Sequence, residues 1–517
     1  MTERIRAGAA AGACLSALLA AAAYLAWRLA GLPFPPFDLF DWLARVLPGS
    51  LITLWIDIVV FVFRAVHIGS TAAAAKHAEQ VMAIGMFITA GAATGAAAFA
   101  ALRLSDEPAT LFGGFLGAAL GIGTVVVERS LDRIVSGVHG DAVWLLATFF
   151  AWGIALGAVH DQLRAGRVDG PGRAGSAARR AFLIRVAWTT GAASAIATVC
   201  GALVDRGRAT LGARWSDTHA LPNANAAVTP VPGTRAEFTP LEDHYRIDVD
   251  TRPPRIDAAA WRLQVIGLVD RPLSFSLDDI RGELAVDQFV TLACISNPID
   301  GDLIGTTRWT GVSLAPVLAR AIPRPEATHA KVISTDGFFE IVALATVLSD
   351  PRVMLAYAWD DVPLMVEHGF PLRLYVPDVY GMKQPKWIES VELVNRWEPG
   401  YWVQRGWDRE GRMAATSVVD VATFDAKRGV IVAGGIAHAG ARGVSRVEVR
   451  VDAGQWQDAR LRTPLSQTTW VIWRAETEAR GADFQGRRSS SVSVRCTDGD
   501  GRQQLAPFHS RIVRGGV

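Results

Sequence analysis

Long uncharged runs of Ala, Leu and Gly fill the first 210 residues, whereas the rest of the chain alternates apolar positions with charged, aromatic and turn residues. A helix that crosses a bilayer needs about 20 consecutive, mainly apolar residues. The pattern therefore predicts an α-helical transmembrane bundle over residues 1–204, followed by a soluble half. Five stretches qualify as spans: 8–30, 80–102, 110–128, 142–160 and 181–204.

A sixth apolar stretch, 51–68, carries Asp57, Arg64 and His67. Spacings of seven and three residues put these polar side chains on one helical stripe. A charge at the bilayer centre costs about 2.5–3.5 kcal/mol. This stripe suits a helix at the membrane interface, or a helix packed with its polar face inward, and we do not count it as a span.

The basic residues of the first half predict its orientation, because Lys and Arg collect in cytoplasmic loops. Arg4 and Arg6 precede the first span, and the loop 161–180 is the most basic of this half. Both segments are cytoplasmic if four spans separate them. The fifth span then carries the chain outward and places residues 205–517 on the outer side of the membrane.

The soluble half shows three patterns. Residues 205–239 are rich in Pro, Asn, Ala and Thr, lack a period and predict a linker. Over 240–413, strand-like runs alternate with short helical ones, which indicates an α+β domain. Over 414–517, short alternating strands separated by Gly- and Asp-containing turns are typical of an immunoglobulin-like β-sandwich.

Composition limits the function. A net charge of +2 gives no reason to expect a nucleic-acid partner. Four cysteines cannot form a disulfide-rich scaffold, and the absence of a Cys-x-x-Cys motif argues against zinc ribbons, iron–sulfur clusters and covalent haem. Cys496 shares one strand face with Val492 and Val494, which predicts a core residue.

Cys294 occupies a different setting, because it ends the apolar strand 289–295 and precedes a polar, glycine-containing loop. A lone buried cysteine is usually a small hydrophobic residue. A cysteine that leaves a strand into such a loop is also placed as a nucleophile or a ligand. No signature for an accompanying base stands out, whereas a thiolate ligand to a metal needs only an electropositive pocket.

Residues 291–311 (TLACISNPIDGDLIGTTRWTG) resemble the molybdenum-ligand segment of the sulfite oxidase family. The resemblance covers about 240–513, and it implies the family's molybdopterin-binding domain and C-terminal sandwich. Further similar segments follow in order: DHYRID at 243–248, WRLQVIGLV at 261–269, FSLDDI at 275–280, HGFPLR at 368–373, YGMKQPKW at 380–387 and GYWVQRGW at 400–407.

The resemblance implies that Cys294 gives one thiolate to molybdenum, beside the two sulfurs of the pterin dithiolene. It implies that Arg246 and Trp407 join Cys294 as catalytic residues. A buried phosphate needs charge-assisted donors, which Arg and Lys supply. Ser334 is an alternative to Thr335 as a pterin contact. The implied cofactor-binding residues are Asp243, His244, Tyr245, Cys294, Thr335, His368, Arg373, Gly381, Met382, Lys383 and Lys386.

Two departures from the family pattern put sulfite itself in doubt. The chain has Ile299 where sulfite oxidases carry an arginine, and Trp407 where they carry a tyrosine. Arg246 and Arg308 are candidates to compensate in an anion pocket. The substrate is thus a small oxyanion or a sulfoxide-like molecule, and oxidation competes with reduction of a sulfoxide or N-oxide. A non-catalytic, membrane-tethered binding protein with a degenerate cofactor fold is the alternative from another class.

The expected partners are membrane lipid and either a quinone or a cytochrome that exchanges electrons. His67, His139 and His160 lie in or near the bundle, where we interpret them as helix-end residues, so haem b is not expected. The resemblance implies a bacterial inner-membrane protein with a periplasmic catalytic domain. It also implies dimerisation through the sandwich, although the bundle leaves the oligomeric state open.

Arg179 and Arg180 stand before the fifth span and are followed by Phe182 and Leu183. This order is similar to a twin-arginine export signal, here inside the chain. The alternative is an arginine pair that simply flanks a membrane helix. Twin-arginine export moves folded proteins, as a domain that receives a buried cofactor in the cytoplasm requires.

Overall fold

The structure is a computed structural model that describes residues 2–51, 71–102, 108–131, 139–165, 213–478 and 489–513, with a few single positions between these ranges. The chain divides into two compact units. The first contains Met1–Pro48, Lys76–Thr210 and Val249–Arg252. The second contains Gly49–Ala75, Leu211–Asp248 and Pro253–Val517.

The described part of the first unit is helical. Four of its helices contain stretches long and apolar enough to cross a membrane, which agrees with four of the five predicted spans. The remaining predicted span 181–204, the pair Arg179-Arg180 and most of 51–68 lie outside the described residues. The helices are α1 (Thr2–Ala30), α2 (Pro35–Val46), α3 (Thr71–Ala101), α4 (Ala109–Ser130) and α5 (His139–Ala165).

Glycines set the closest approaches between these helices. A Cβ on Gly12 of α1 would lie 2.2 Å from the carbonyl oxygen of Gly91 in α3. A Cβ on Gly153 of α5 would lie 2.0 Å from the carbonyl oxygen of Gly113 in α4. Small residues allow such backbone contact between apolar helices, where van der Waals packing drives association.

Substituting Gly153 with Leu should therefore separate α4 from α5 and destabilise the bundle by at least about 1–3 kcal/mol, the usual range for overpacking. Thermal unfolding of the detergent-solubilised protein measures this loss. Gly123→Leu is the matched control, because no atom lies within 4 Å of a Cβ built at Gly123. Equal melting temperatures for the two variants would contradict this packing.

Helix α2 carries two buried carboxylates that bind the segment Val249–Arg252 within the first unit. Asp41 accepts hydrogen bonds from the Thr251 backbone N–H at 2.8 Å and from its hydroxyl at 3.1 Å. Asp38 forms a 2.6 Å ion pair with Arg252, whose guanidinium lies 5.4 Å from the ring centroid of Trp27. Buried carboxylates require such partners, which explains two acids on an otherwise apolar face.

Two sheets form the α+β part of the second unit. The first has the order β2-β1-β10-β5-β6, with β1 parallel to β10. The second has the order β3-β4-β7-β8, with β9 paired to β7. The strands are β1 (Leu263–Gly267), β2 (Leu273–Phe275), β3 (Ala285–Ala293), β4 (Ile304–Ser313), β5 (His329–Ser334), β6 (Phe339–Ala343), β7 (Met354–Trp359), β8 (Val362–Pro363), β9 (Arg373–Tyr375) and β10 (Ile388–Val394).

Short helices complete this part, in agreement with the short helical runs predicted within 240–413. The Ser276 hydroxyl accepts from the Asp279 N–H at 3.1 Å, and the Asp279 carboxylate accepts from the Ser276 N–H at 2.8 Å. This capping box fixes the start of α7. The helices of the second unit are α6 (Trp215–Thr218), α7 (Leu277–Arg281), α8 (Leu314–Ala319) and α9 (Leu344–Ser349), with single 3-10 turns at Leu241–Asp243, Val366–His368, Gly381–Lys383, Val403–Arg405 and Gly440–Arg442.

The C-terminal part has two antiparallel sheets that share one core. Their orders are β11-β13-β17-β16, with β12 also on β13, and β15-β14-β18-β19. Cys496 is buried in this core with Trp473, as predicted; the immunoglobulin type stays a prediction. The strands are β11 (Thr416–Ser417), β12 (Val421–Asp425), β13 (Val430–His438), β14 (Val444–Val451), β15 (Gln457–Asp458), β16 (Arg460–Leu461), β17 (Val471–Glu478), β18 (Ser489–Asp498) and β19 (Phe508–Val513).

The described part of the predicted linker, 213–239, is held against the second unit. Arg462 of the sandwich is buried, pairs with Glu237 at 2.9 Å and donates to the Val228 carbonyl at 2.8 Å. Arg235 pairs with Asp420 at 3.0 Å. A buried guanidinium needs several acceptors, and the backbone of this segment supplies them. This part of the segment therefore does not form a free tether.

Candidate active site

Cys294 follows the last residue of β3, one residue outside the strand. Its N–H donates to the Leu303 carbonyl at 2.9 Å, and its carbonyl accepts from the Asn297 N–H at 3.1 Å. The half-buried thiol lies 3.1 Å from the Ser296 hydroxyl. Burial raises the pKa of the thiol, and the Ser296 contact opposes the shift. The backbone bonds fix the direction in which the sulfur leaves the strand.

The thiol opens into a pocket between the α+β part and the sandwich. Ile299, at the position that departs from the family pattern, belongs to its walls, which mix apolar and polar groups. The apolar lining residues are Ala293, Pro298, Ile299, Ile304, Met413, Ala414, Val418 and Ile436, and the other lining residues besides Cys294 are Arg235, Asn297, Tyr380, Thr416, Ser417 and His438.

Arg235 is the one cation among these lining residues, and a carboxylate and a backbone carbonyl of the protein already bind its guanidinium. Its Nε donates to Asp420 at 3.0 Å, and its Nη1 donates to the Gly301 carbonyl at 3.0 Å. Sequence reasoning missed this residue because it lies in the predicted linker, where no local signal marks a side chain that folds back. The pocket therefore presents little net positive charge to a substrate.

A second cluster combines aromatic rings with buried basic side chains. The His244 ring centroid lies 5.5 Å from that of Trp359, and the Trp359 centroid lies 4.5 Å from that of His368. The Arg373 guanidinium lies 4.6 Å from the ring centroid of Trp309. Two motifs far apart in the chain, 243–248 and 368–373, thus meet in one place.

Burial dominates the electrostatics of this cluster. It lowers the pKa of Arg373 to about 10 and that of His244 to about 4, where Arg373 adds to the effect. It also lowers the pKa of His368 and brings that of Lys386 to about 8, although Asp248 opposes the Lys386 shift. Keeping cations buried is costly unless an anion accompanies them.

Asp248 is the carboxylate at the centre of the cluster. It forms ion pairs with Arg246 and Lys386, and its charge also acts on Arg373. Lys386 donates further to the Glu367 carbonyl at 3.0 Å. Three cations therefore surround one carboxylate, which leaves positive charge for a bound anion.

Several buried nitrogen atoms of this cluster lack a hydrogen-bond partner within the described residues. Unmet buried donors destabilise a protein by about 1–3 kcal/mol each, so a ligand that carries several acceptors would offset them. A phosphate joined to a polar ring system has this character, which fits the pterin cofactor. The atoms are His244 Nε2, Arg246 Nη2, Trp309 Nε1, Trp359 Nε1 and Arg373 Nε.

Tyr245 connects the basic cluster to the cysteine. A Cβ on Gly381 would lie 2.7 Å from the Tyr245 hydroxyl and 3.5 Å from the carbonyl oxygen of Ala293, the residue before Cys294. Gly381 therefore allows the hydroxyl to approach. Burial, reinforced by Cys294, raises the pKa of Tyr245, so the phenol keeps its proton.

Comparison with known proteins agrees with this arrangement. Residues 250–402 match the model of the oxidoreductase molybdopterin binding domain. The chain is 31% identical over 272 residues to mitochondrial sulfite oxidase of Rattus norvegicus, which covers 43% of this chain and 50% of that protein. It is 30% identical over 155 residues to the uncharacterized oxidoreductase YuiH of Bacillus subtilis (strain 168), which covers 30% of this chain and 76% of that protein.

The chain belongs to the sulfite oxidase family.

Membership makes it an oxidoreductase with a molybdenum–pterin cofactor. The chain spans about half the length of the mammalian sulfite oxidases that it matches. It is also 29% identical over 187 residues to the putative protein-methionine-sulfoxide reductase subunit YedZ1 of Azospira oryzae (strain ATCC BAA-33 / DSM 13638 / PS), which covers 36% of this chain and 68% of that protein.

The structure brings most of the predicted site residues together, but some lie elsewhere. Asp243 is exposed, and Asp248 of the same motif takes the central acidic position instead. The Thr335 hydroxyl donates to the Trp387 carbonyl at 3.1 Å, whereas the buried Ser334 hydroxyl has no partner among the described residues.

Two further predicted residues have other contacts. Lys383 forms a 2.6 Å ion pair with Glu340, and both side chains are buried. Trp407 packs edge-on against Trp402, with ring centroids 6.3 Å apart. A third predicted residue, Met382, is buried beside Lys383 in the same 3-10 turn.

Arg308, a predicted candidate for a substrate anion pocket, forms ion pairs with acidic side chains instead. It forms a 2.8 Å ion pair with Asp287 and a second ion pair with Asp361. These two carboxylates balance the positive charge of Arg308, so its guanidinium is not available to bind a substrate anion.

His438 gives the lining of the Cys294 pocket a neutral polar group. Burial lowers its pKa to about 4. Because the unfolded residue protonates below about 6.5 and the folded one below about 4, the unfolded state binds more protons in this window. Lowering the pH from neutral to about 5 should cost about 2 kcal/mol of stability through this residue.

Thermal unfolding across that pH range measures the effect. His438→Phe should flatten the pH dependence of the melting temperature, since it removes one of the buried titrating histidines. A wild-type pH dependence in His438→Phe would contradict the assignment of this window to His438.

Proposed function

We propose that this chain is a membrane-anchored molybdenum oxidoreductase that transfers oxygen to or from a small substrate in the Cys294 pocket. The observation that carries the proposal is the proximity of Cys294 to the buried basic cluster, because Tyr245 of that cluster lies beside Gly381 and is influenced by the Cys294 charge. A non-catalytic family member would have no use for buried donors that lack acceptors among the described residues.

The cofactor supplies two-electron oxo-transfer chemistry when bound. Cys294 would provide a thiolate ligand, since a thiolate suits this metal and the backbone holds the sulfur in place. Arg246, Arg373 and Lys386 would neutralise the phosphate of the pterin. The protonated Tyr245 would donate a hydrogen bond beside the sulfur.

We further propose a neutral substrate rather than sulfite. Sulfite is anionic and needs cations, but the pocket has Ile299 in its wall and an Arg235 already paired with Asp420. An organic sulfoxide or N-oxide presents a neutral polar oxygen on an apolar body. The name of the YedZ1 relative, a putative protein-methionine-sulfoxide reductase subunit, supports this choice. Reduction of a sulfoxide by two electrons and two protons yields a thioether and one water.

The first unit would anchor the enzyme in a bacterial inner membrane. The basic N-terminus supports a cytoplasmic start, and four apolar helices would bring the chain back to that side. The predicted fifth span, 181–204, would then carry the chain to the outer side, where the catalytic domain would lie. A quinone or a cytochrome would supply or remove the electrons at this face.

Steady-state assays with artificial redox partners test the substrate class. The purified holoenzyme should reduce dimethyl sulfoxide or trimethylamine N-oxide with reduced methyl viologen at least about tenfold more efficiently than it oxidises sulfite with ferricyanide, the size of effect that one lost charge contact produces. Faster sulfite oxidation would contradict the neutral-pocket argument. Absence of all oxo transfer in molybdenum-loaded protein would contradict the proposed function.

A further inference from the structure

His438 ends strand β13 of the sandwich and lines the Cys294 pocket. The residue is only 4% exposed, and its Nε2 has no hydrogen-bond partner within the described residues. Burial is the main cause of its lowered pKa, with Arg442 contributing, and a hydrogen bond with the Thr468 backbone opposes the shift. The side chain is therefore a neutral imidazole whose Nε2 has no hydrogen-bond partner among the described residues.

Three other polar side chains of the pocket wall have protein partners. The Tyr380 hydroxyl accepts from the Ala414 N–H at 3.1 Å, and the Ser417 hydroxyl donates to Gln504 at 2.6 Å. Asn297 Oδ1 accepts from the Leu303 N–H at 2.9 Å. Among the described lining residues, His438 is thus the one with a buried, unsatisfied side-chain atom.

Oxo transfer requires a water molecule in this pocket. In the reducing direction, the substrate oxygen combines with two protons and with two electrons from a quinol- or cytochrome-class donor. The product of this step leaves as water. In the oxidising direction, water supplies the oxygen and releases two protons. A polar group without a protein partner is needed to hold this water, because a buried water requires hydrogen-bond partners.

We propose that His438 is a catalytic residue whose Nε2 hydrogen-bonds the water that oxo transfer releases or consumes and relays its proton. The inference rests on the proposed function, since only an oxo-transfer reaction forms or uses that water. It does not depend on the direction of the reaction. The sandwich therefore contributes chemistry to the site in addition to its structural role.

Three variants test the role. His438→Phe keeps the ring size but cannot hydrogen-bond, and it should lower kcat about 100-fold, within the range for general acid–base groups. KM should change less than kcat, the solvent deuterium isotope effect should change, and molybdenum content should stay at the wild-type level. His438→Gln should restore part of the rate, because its amide can hold the water. His509→Phe is the matched control: this exposed histidine of the same sandwich bonds Ser493.

A crystal structure of the holoenzyme gives a readout independent of turnover. It should show an ordered water, or a substrate oxygen, within about 3.2 Å of His438 Nε2. A protein group on Nε2, or an unchanged kcat and isotope effect in His438→Phe, would overturn the proposal. An active wild type with an unaffected His438→Phe overturns only this inference. A molybdenum-loaded wild type without oxo transfer overturns the proposed function, and the Nε2 water can still be examined.

Discussion

Cys294→Ser should lose more than about 100-fold in kcat, because even outer-shell partners of a metal site cost about 10–100-fold when removed. Serine has nearly the same size and can keep the 3.1 Å contact with Ser296. Its hydroxyl is a poor substitute for a thiolate toward this metal. The substitution should therefore impair turnover rather than folding, and the variant should unfold at close to the wild-type temperature.

Cys496→Ser is the matched control for this prediction. Cys496 is buried in the sandwich core, where its sulfur lies 3.7 Å from Gln504 Oε1. This substitution should lower the melting temperature somewhat and leave turnover intact. Comparable kcat values for Cys294→Ser and the wild type would remove Cys294 from the mechanism.

Arg373→Met should release the cofactor. Arg373 is 5% exposed, and its Nε has no partner within the described residues, so the substitution deletes a buried donor aimed at the cofactor site. Truncating one partner of a buried, hydrogen-bonded charge pair costs about 2–5 kcal/mol. We expect the pterin and molybdenum content of the purified variant to fall more than about tenfold.

The sign of the stability change separates binding from a structural role. In the cofactor-free protein, Arg373 is a buried cation whose charge is only partly balanced by Asp248. Arg373→Met should then raise the melting temperature of the cofactor-free form while it lowers that of the loaded form. Arg352→Met is the control, because Arg352 is a partly exposed arginine paired with Asp350 at 2.8 Å. Full cofactor content in Arg373→Met would contradict the assignment.

Local sequence patterns predicted the features that local physics determines. Uncharged runs gave the helices of spanning length, because burial in lipid requires apolar residues over a fixed length. The apolar run before Cys294 and the polar loop after it predicted that the thiol leaves a strand. The family resemblance, rather than any local pattern, implied that the motifs at 243–248 and 368–373 serve one site. The short helices at 277–281 and 314–319 agree with the short helical runs predicted in the α+β domain.

Features that depend on long-range contacts could not be predicted in this way. Arg235 and His438 line the pocket only because the linker and the sandwich fold against the α+β part. Asp248 rather than Asp243 pairs with the cations, although both belong to one short motif, since Asp243 lies exposed in the 3-10 turn that precedes the cluster. Lys383 and Glu340 form an ion pair although they lie 43 residues apart in sequence, so no local pattern predicts their contact.

Molybdenum K-edge X-ray absorption on the wild type and on Cys294→Ser tests the sulfur–metal bond most directly. The wild type should show three sulfur ligands, two from the pterin dithiolene and one from Cys294. The variant should retain the metal with one sulfur fewer. An identical sulfur count in the two proteins, or a wild type without molybdenum, would contradict the assignment of Cys294 as the metal ligand.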